Sequence, residues 1–232
     1  MSPLYVYALV DEEPAGPLGA GLAGEPLTVL RCGGVAAVTG EQAAAPSPSP
    51  AALARHDEVV RRLAESAPAV LPTRFGQWVR GEAELCETLA PRAGEVAEAL
   101  TLVRGCVQMT LRVFGDALSE EPEPVASGGG PGARYLAARR QALERGRSLP
   151  EMAALREALK PLLRAERVER VGRAGRQGAG RLLGTAYHLV PRDRTADYLG
   201  TVEATGGELP GGWRVAASGP WPPYAFGPGG FA

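Results

Sequence analysis

Two histidines and three cysteines are the residues in this 232-residue chain whose types are most often used for chemistry, and their spacing limits what chemistry is open to them. His56 and His188 stand far apart. Neither forms an i, i+4 pair with another histidine or occupies an H-E-x-x-H frame, so no metal site is expected. Cys32, Cys86 and Cys106 are odd in number and widely spaced, which predicts neither a disulfide framework nor a C-x2-C zinc pair. Each lies in an apolar stretch without an activating neighbour, where a cysteine acts as a small hydrophobe, and a reducing cytosol is the simplest setting. Ser218 belongs to no G-x-S-x-G elbow. Gly128-Gly129-Gly130-Pro131-Gly132 lacks the Gly-Lys-Ser/Thr ending that holds phosphate, and reads as a flexible loop. No catalytic constellation and no cofactor site follow from these residues.

Charge excludes a second class. Basic and acidic residues number 25 and 26, the formal net charge is −1, and the pI is near 6.2, so no whole-protein field draws the chain to nucleic acid or to an anionic membrane. The densest local charge is Arg164, Arg167, Arg170, Arg173, Arg176 and Arg181 against Glu166 and Glu169. An RNA-recognition sheet would stack bases on aromatics, whereas the strands here carry Val168, Val171, Leu183 and only Tyr187. A solvated or partner-facing charge run is the better reading. The apolar stretch Leu100 to Phe114 is broken by Arg104 and Arg112 and is too short for a bilayer. The N-terminus has no basic segment before an apolar core, so a first strand is expected there, not a leader.

The elements that would position these residues begin with a strand at Leu4 to Val10. Leu27 to Arg31 and Val35 to Thr39 follow, joined at Gly33-Gly34 as a hairpin. Ser49 as N-cap and Pro50 at the first helical position open a helix. Leu53, His56, Val60 and Leu63 should share its apolar face, with His56 hydrogen-bonded at the core edge. Val70 to Gly76, interrupted by Pro72, suits an edge strand or a bulge, and Gly81 to Ala90 a helix with Leu85, Cys86 and Leu89 inward.

From about Leu102 the pattern restarts as a strand, with Val103, Gly105, Val107, Met109, Leu111 and Val113 on one side. Glu120 to Gly132 lacks periodicity and is expected to be a mobile loop. Helices are expected at Ala133 to Arg145 and Glu151 to Leu163, strands at Arg167 to Arg173 and Arg181 to Val190, a helix at Thr195 to Ala204 and a last strand at Trp213 to Ala217. This is the β-α-β-β-α-β succession of a ferredoxin-like domain. The fold class is thus α+β, with an N-terminal α+β domain at 1–98, a ferredoxin-like domain at 99–218 and an extended Pro/aromatic tail at 219–232.

The tail, Gly219-Pro220-Trp221-Pro222-Pro223-Tyr224-Ala225-Phe226, is proline-broken, so Trp221, Tyr224 and Phe226 ride on an extended backbone. Aromatics at this density must be covered, by the protein's own surface or by a partner.

This tail resembles the G-P-W-P-P-Y-x-F element of the gas vesicle GvpL/GvpF family. Val70-Leu71-Pro72-Thr73-Arg74-Phe75-Gly76 is similar to that family's V-L-P-x-R-F-G element, and Leu4 to Val10 to its opening strand. His56 and Val60, Gly132-Ala133-Arg134-Tyr135-Leu136 and Ala186-Tyr187-His188-Leu189-Val190 match in order. The chain departs from the pattern at Ser127 to Gly132 and in the added Gly227 to Ala232. The resemblance implies a non-enzymatic, cytoplasmic and gas-vesicle-associated protein, made alongside the hydrophobic shell protein GvpA. It would act in vesicle nucleation or assembly, alone or with other accessory proteins, or be retained as a minor shell component. Trp221, Pro222, Pro223, Tyr224, Phe226, Arg74 and Phe75 become the candidate partner-binding residues, with no metal, cofactor, nucleic acid or lipid membrane implied. The alternative is a small-molecule sensor or enzyme on the ferredoxin-like domain, near His188 and Tyr187.

Overall fold

A computed structural model of the chain describes residues 2–115, 152–170, 181–207, 209 and 212–229. The expected loop at Glu120 to Gly132, the helix at Ala133 to Arg145, and the end of the expected strand at Val171 to Arg173 lie outside these residues. The molecule is mixed α+β with two sheets, divided into a first unit of Met1–Gln108 with Pro220–Ala232 and a second unit of Met109–Gly219.

In the first unit, β1 (Leu4–Val10) is buried along its whole length, as its unbroken apolar run requires. Its neighbours are β3 (Val35–Glu41) on one side, then β2 (Leu27–Cys32). On the other side β4 (Val70–Pro72) pairs with Ala8 to Val10, and β5 (Trp78–Val79) pairs with Leu4 and Tyr5. Pro72 is tolerated because β4 is an edge strand. The Gly33-Gly34 turn closes the β2–β3 hairpin with both glycines at positive φ, 59° and 92°, which a two-residue hairpin turn of this hand demands. A bulge between Val6 and Ala8 changes the alternation of β1, so Tyr5, Tyr7, Ala8 and Val10 all enter one core cluster.

Helix α1 (Pro50–Ser66) covers that cluster. Ser49 accepts from the Ala52 N–H at 3.1 Å, and Pro50 occupies the first turn, as expected. Leu53, expected on the apolar face, is 47% exposed, and Val59 takes its place beside Val60 and Leu63. The first turn of α1 carries no buried residue, so the stripe begins only at His56. Helices α2 (Glu82–Leu89) and α3 (Ala93–Val103) follow and pack against β2, β3 and β4.

Helix α3 corrects the expected strand start at Leu102. Val96, Leu100 and Val103 recur at helical spacing and are buried, and Gly105, at φ 70°, turns the chain into β6 (Cys106–Gly115). Cysteine pairing is a second correction: Cys32 and Cys86 form a disulfide. Their separation of 54 residues carries no local signal, but the end of β2 and the middle of α2 bring the two Cα atoms to 4.9 Å, within cystine range.

In the second unit the sheet order is β7–β8–β6–β9, with β7 (Ala165–Arg170), β8 (Arg181–Pro191) and β9 (Arg214–Trp221). Strand β6 turns Met109, Leu111 and Val113 toward Met152, which precedes the α4 segment (Ala153–Leu159), toward Leu155 and Leu159 of α4, and toward Tyr198 and Val202 of α5 (Thr195–Gly206). Period-2 alternation on the strand and 3–4 spacing on the helices build this core. Among the described residues no helix is long and apolar enough to cross a membrane.

Candidate functional site

Helix α1 positions both of the sequence's most specific motifs. On its buried side His56 lies 2.9 Å from the Tyr5 hydroxyl through Nδ1 and 3.2 Å from the Thr73 carbonyl through Nε2. A carbonyl only accepts, so Nε2 carries the proton and Nδ1 accepts from Tyr5. Tyr5 in turn accepts from the Gly76 N–H at 3.0 Å, and the Thr73 hydroxyl donates to the Val6 carbonyl at 2.6 Å. The Val70–Gly76 run is thereby tied at Thr73 and Gly76 to β1 and α1. Burial holds His56 below the ordinary imidazole pKa, only partly offset by the Thr73 bond, and burial pushes Tyr5 up to about 12. Both ring nitrogens of His56 are committed inside the fold, so it positions the loop and does not act as a base. Phe75 packs edge-on against Tyr5 and His56, and Arg74 is exposed.

Tyr5→Phe removes the donor to His56 and is expected to cost about 1–3 kcal/mol. A urea melt checks this, and a loss under about 0.5 kcal/mol counts against the Tyr5–His56 bond as a tie of the loop.

A second polar cluster secures the loop before β2. Tyr7 donates to Glu25 and accepts from the Leu22 N–H at 2.8 Å, while Gln42 donates to Glu25 at 2.7 Å. Glycine at 21 is what allows this approach: a Cβ there would meet Glu25 Oε1 at 2.0 Å.

The tail docks on the outward side of α1. The Asp57 carboxylate accepts from Arg61 Nε at 2.6 Å and from the Tyr224 hydroxyl at 3.2 Å, so one side chain serves the helix and the tail. Arg61 lies over the Trp221 ring, 4.5 Å from its centroid, in cation–π geometry. Pro222, Pro223 and Phe226 are buried, Trp221 and Tyr224 are half-buried, and the Ala225 N–H donates to Gln108 Oε1 at 2.8 Å. The short turn Tyr224–Phe226 packs against β4, the strand that leads into Arg74 and Phe75. Burial, then the negative Asp57, raises the Tyr224 pKa.

The candidate residues thus gather around α1, with Phe75 on the His56 side and the tail on the Asp57–Arg61 side. Asp57, Arg61 and Gln108 were not singled out from the sequence. The i, i+4 spacing of Asp57 and Arg61 is a signal for a helix pair, but nothing in the sequence marks Gln108.

In the second unit His188 is fully buried, not open to a ligand, with Nδ1 2.7 Å from the Tyr198 hydroxyl and Nε2 3.2 Å from Glu166. Glu166 also takes Arg156 in a two-pronged ion pair at 2.5 and 3.1 Å. It lines an open groove of about 370 Å³ with Arg156, Lys160 and Arg164. Tyr187 points to Glu169 at 3.2 Å. No group of three or more His, Cys, Asp or Glu among the described residues is placed to hold a metal ion.

Residues 3–228 match the family described as gas vesicle synthesis protein GvpL/GvpF. No curated protein sequence matches. In fold the chain is similar to the crystal structure of gas vesicle protein GvpF from Anabaena sp. PCC7120, with a TM-score of 0.71 and 18% identity over 97% of this chain and 96% of that one. It is similar as well to GvpF from Microcystis aeruginosa, with a TM-score of 0.71 and 16% identity over 97% of this chain and 99% of that one. Matched over nearly all of its length, the chain belongs to the gas vesicle synthesis protein GvpL/GvpF family.

Proposed function

We propose that this chain is a non-enzymatic gas vesicle accessory protein that binds the hydrophobic shell protein GvpA in the cytoplasm and assists vesicle nucleation and assembly. The observation that carries this reading is the gathering of the R-F-G run and the W-P-P-Y tail on one helix, α1. The half-buried aromatics Trp221, Tyr224 and Phe75, and the exposed Arg74 that precedes Phe75 in sequence, have the composition of a protein-contact surface. A shell subunit with a large apolar surface would aggregate in water before assembly, and a partner that covers it for a time prevents this. The second unit's sheet order β7–β8–β6–β9, with helical segments before β7 and between β8 and β9, supports a ferredoxin-like reading of that unit.

The test is capture of freshly expressed shell protein by the purified chain, scored also for shell-protein solubility. Trp221→Ala with Tyr224→Ala is expected to reduce capture at least tenfold, since such anchors contribute on the order of 2 kcal/mol each. Arg74→Ala, on an exposed side chain, should weaken capture while leaving the melt unchanged. Capture that survives all three substitutions would remove this surface as the site.

A further inference from the structure

We propose that the Cys32–Cys86 disulfide is a thiol-exchange site that opens through Cys86 to low-molecular-weight thiols. The two cysteines are unequally covered. Cys32, at the end of β2, is 2% exposed, whereas Cys86, in the middle of α2, is half-buried. Exchange needs access to one sulfur, and Cys86 is the less covered of the two residues. Leu85 and Leu89 hold α2 on the fold, so Cys86 stays presented on a packed helix.

The charges around the entrance come from Glu82, Glu84 and Glu87 on α2, with Arg80 paired to Glu84, and Arg31 on β2. An excess of carboxylates disfavours a thiol that carries carboxylates of its own, so one whose only charge is its thiolate is the suitable reactant.

The reaction balances with two thiols. A thiolate attacks the Cys86 Sγ, the new sulfur–sulfur bond forms there, and the old bond's electron pair leaves on Cys32, which takes up a proton. A second thiolate then attacks the outer sulfur of the mixed disulfide, releasing the small disulfide and the Cys86 thiolate. The cystine gains two electrons and the two small thiols lose them. Cys106, buried in β6 and outside the disulfide, takes no part.

Opening the bond unlinks the end of the β2–β3 hairpin from α2. The His56 and Asp57 contacts of α1 involve neither cysteine, so the α1 surface survives while α2 loosens. The bond closes a loop of 54 residues, long enough that its loss should lower the melting temperature of the full chain by about 5–15 °C.

The experiment treats the intact protein with 2-mercaptoethanol, quenches with N-ethylmaleimide at increasing times and maps both labels by peptide mass spectrometry. The expected intermediate carries mercaptoethanol on Cys86 and maleimide on Cys32, followed by maleimide on both. Mercaptoethanol on Cys32 would overturn the assigned entrance. Maleimide on both cysteines before any thiol is added, or a disulfide that resists the thiol until the chain is denatured, would overturn the site itself. Hydrogen exchange of the fully reduced protein should speed up at α2 amides and not at α1. Equal protection of α2 in both forms would refute the loosening. Cys32→Ser provides a second arm, because Cys86 should then accept maleimide in the native protein at the rate of a half-buried thiol.

Discussion

Replacing Phe226 with alanine is expected to destabilise the protein by about 3–5 kcal/mol, the usual cost of deleting a fully packed phenyl ring. The ring is 2% exposed, although it lies in a glycine- and proline-rich segment close to the chain's end, where side chains are more often solvated. Three contacts set the backbone that carries it. Its own N–H donates to the Pro223 carbonyl at 3.1 Å, the preceding Ala225 N–H reaches Gln108, and the Tyr224 hydroxyl reaches Asp57. Without the ring, these bonds must hold the tail alone. Each is worth only about 0.5–1.5 kcal/mol net, so the segment should open locally well before the first unit unfolds. Urea unfolding measures the global cost, and limited proteolysis should show earlier cleavage after Tyr224 in the variant. A cost below about 1 kcal/mol would mean that the ring does not hold the tail.

The same variant divides two modes of shell binding. The half-buried aromatics Trp221 and Tyr224 remain in Phe226→Ala, but α1 no longer holds them in place. If capture of shell protein falls with the stability, the docked surface is what the partner reads. Capture that is retained or increased means that the free tail is read, and that docking on Asp57 and Arg61 competes with the partner. Either result is informative because the ring is buried in the docked tail, so its loss reaches Trp221 and Tyr224 through docking.

Local signals carried much of the first unit. Gly33-Gly34 marks a hairpin because only glycine takes positive φ without strain at two successive positions, and Ser49-Pro50 marks a helix start because both residues suit an end and not a middle. His56 was legible as a core-edge histidine since it falls on the apolar stripe. Its partners Tyr5 and Thr73 were not, being 51 and 17 residues away. Leu53 was misplaced because periodicity gives a face but not how far a helix overhangs the sheet beneath it. Helix α3 was hidden for another reason. Leu100 to Phe114 is one apolar run, and the change from period 3.6 to period 2 at Gly105 is blurred when residues on both sides are buried.

The tail shows where such reading stops. Proline and aromatic content required a segment that something covers, and the cover is a helix face of Asp57 and Arg61 together with Gln108, but the expected irregular extended backbone is corrected, since Trp221 ends β9 and Tyr224–Phe226 forms a 3-10 turn. Asp57 and Gln108 lie 167 and 117 residues from their tail partners, so no local pattern points to them. The disulfide has the same origin. Cys32 ends a strand and Cys86 lies within a helix, so neither residue's surroundings in sequence pointed to the other.

Acid should weaken the second unit through one carboxylate, and Glu166→Gln should abolish that sensitivity. The hydrogen bond from His188, helped by the ion pair with Arg156, holds Glu166 down at about 2, against an ordinary value of 4.5, while burial acts the other way. A carboxylate whose pKa is depressed in the folded state adds stability that is fully present above 4.5 and is lost as the pH falls toward 2. The difference corresponds to about 3 kcal/mol at pH 7, and the side chain, only 21% exposed, is not extensively screened. Glu166→Gln should therefore cost about that much at neutral pH and progressively less below pH 4.5, where the wild type loses its advantage. Hydrogen exchange of β8 amides reads the second unit alone, and the difference between the two proteins cancels the other carboxylates. His56 in the first unit has the opposite chemistry with the same sign. Its depressed pKa adds stability above the ordinary imidazole value of 6.5 that is lost as pH falls below it, so the first unit should weaken earlier on acidification than the Glu166 cluster does. A gap between wild type and Glu166→Gln that stays constant from pH 7 to pH 2.5 would mean that the ion pair does not govern the acid response. The buried Tyr198–His188 contact would then be left to hold β8 and α5 together without it.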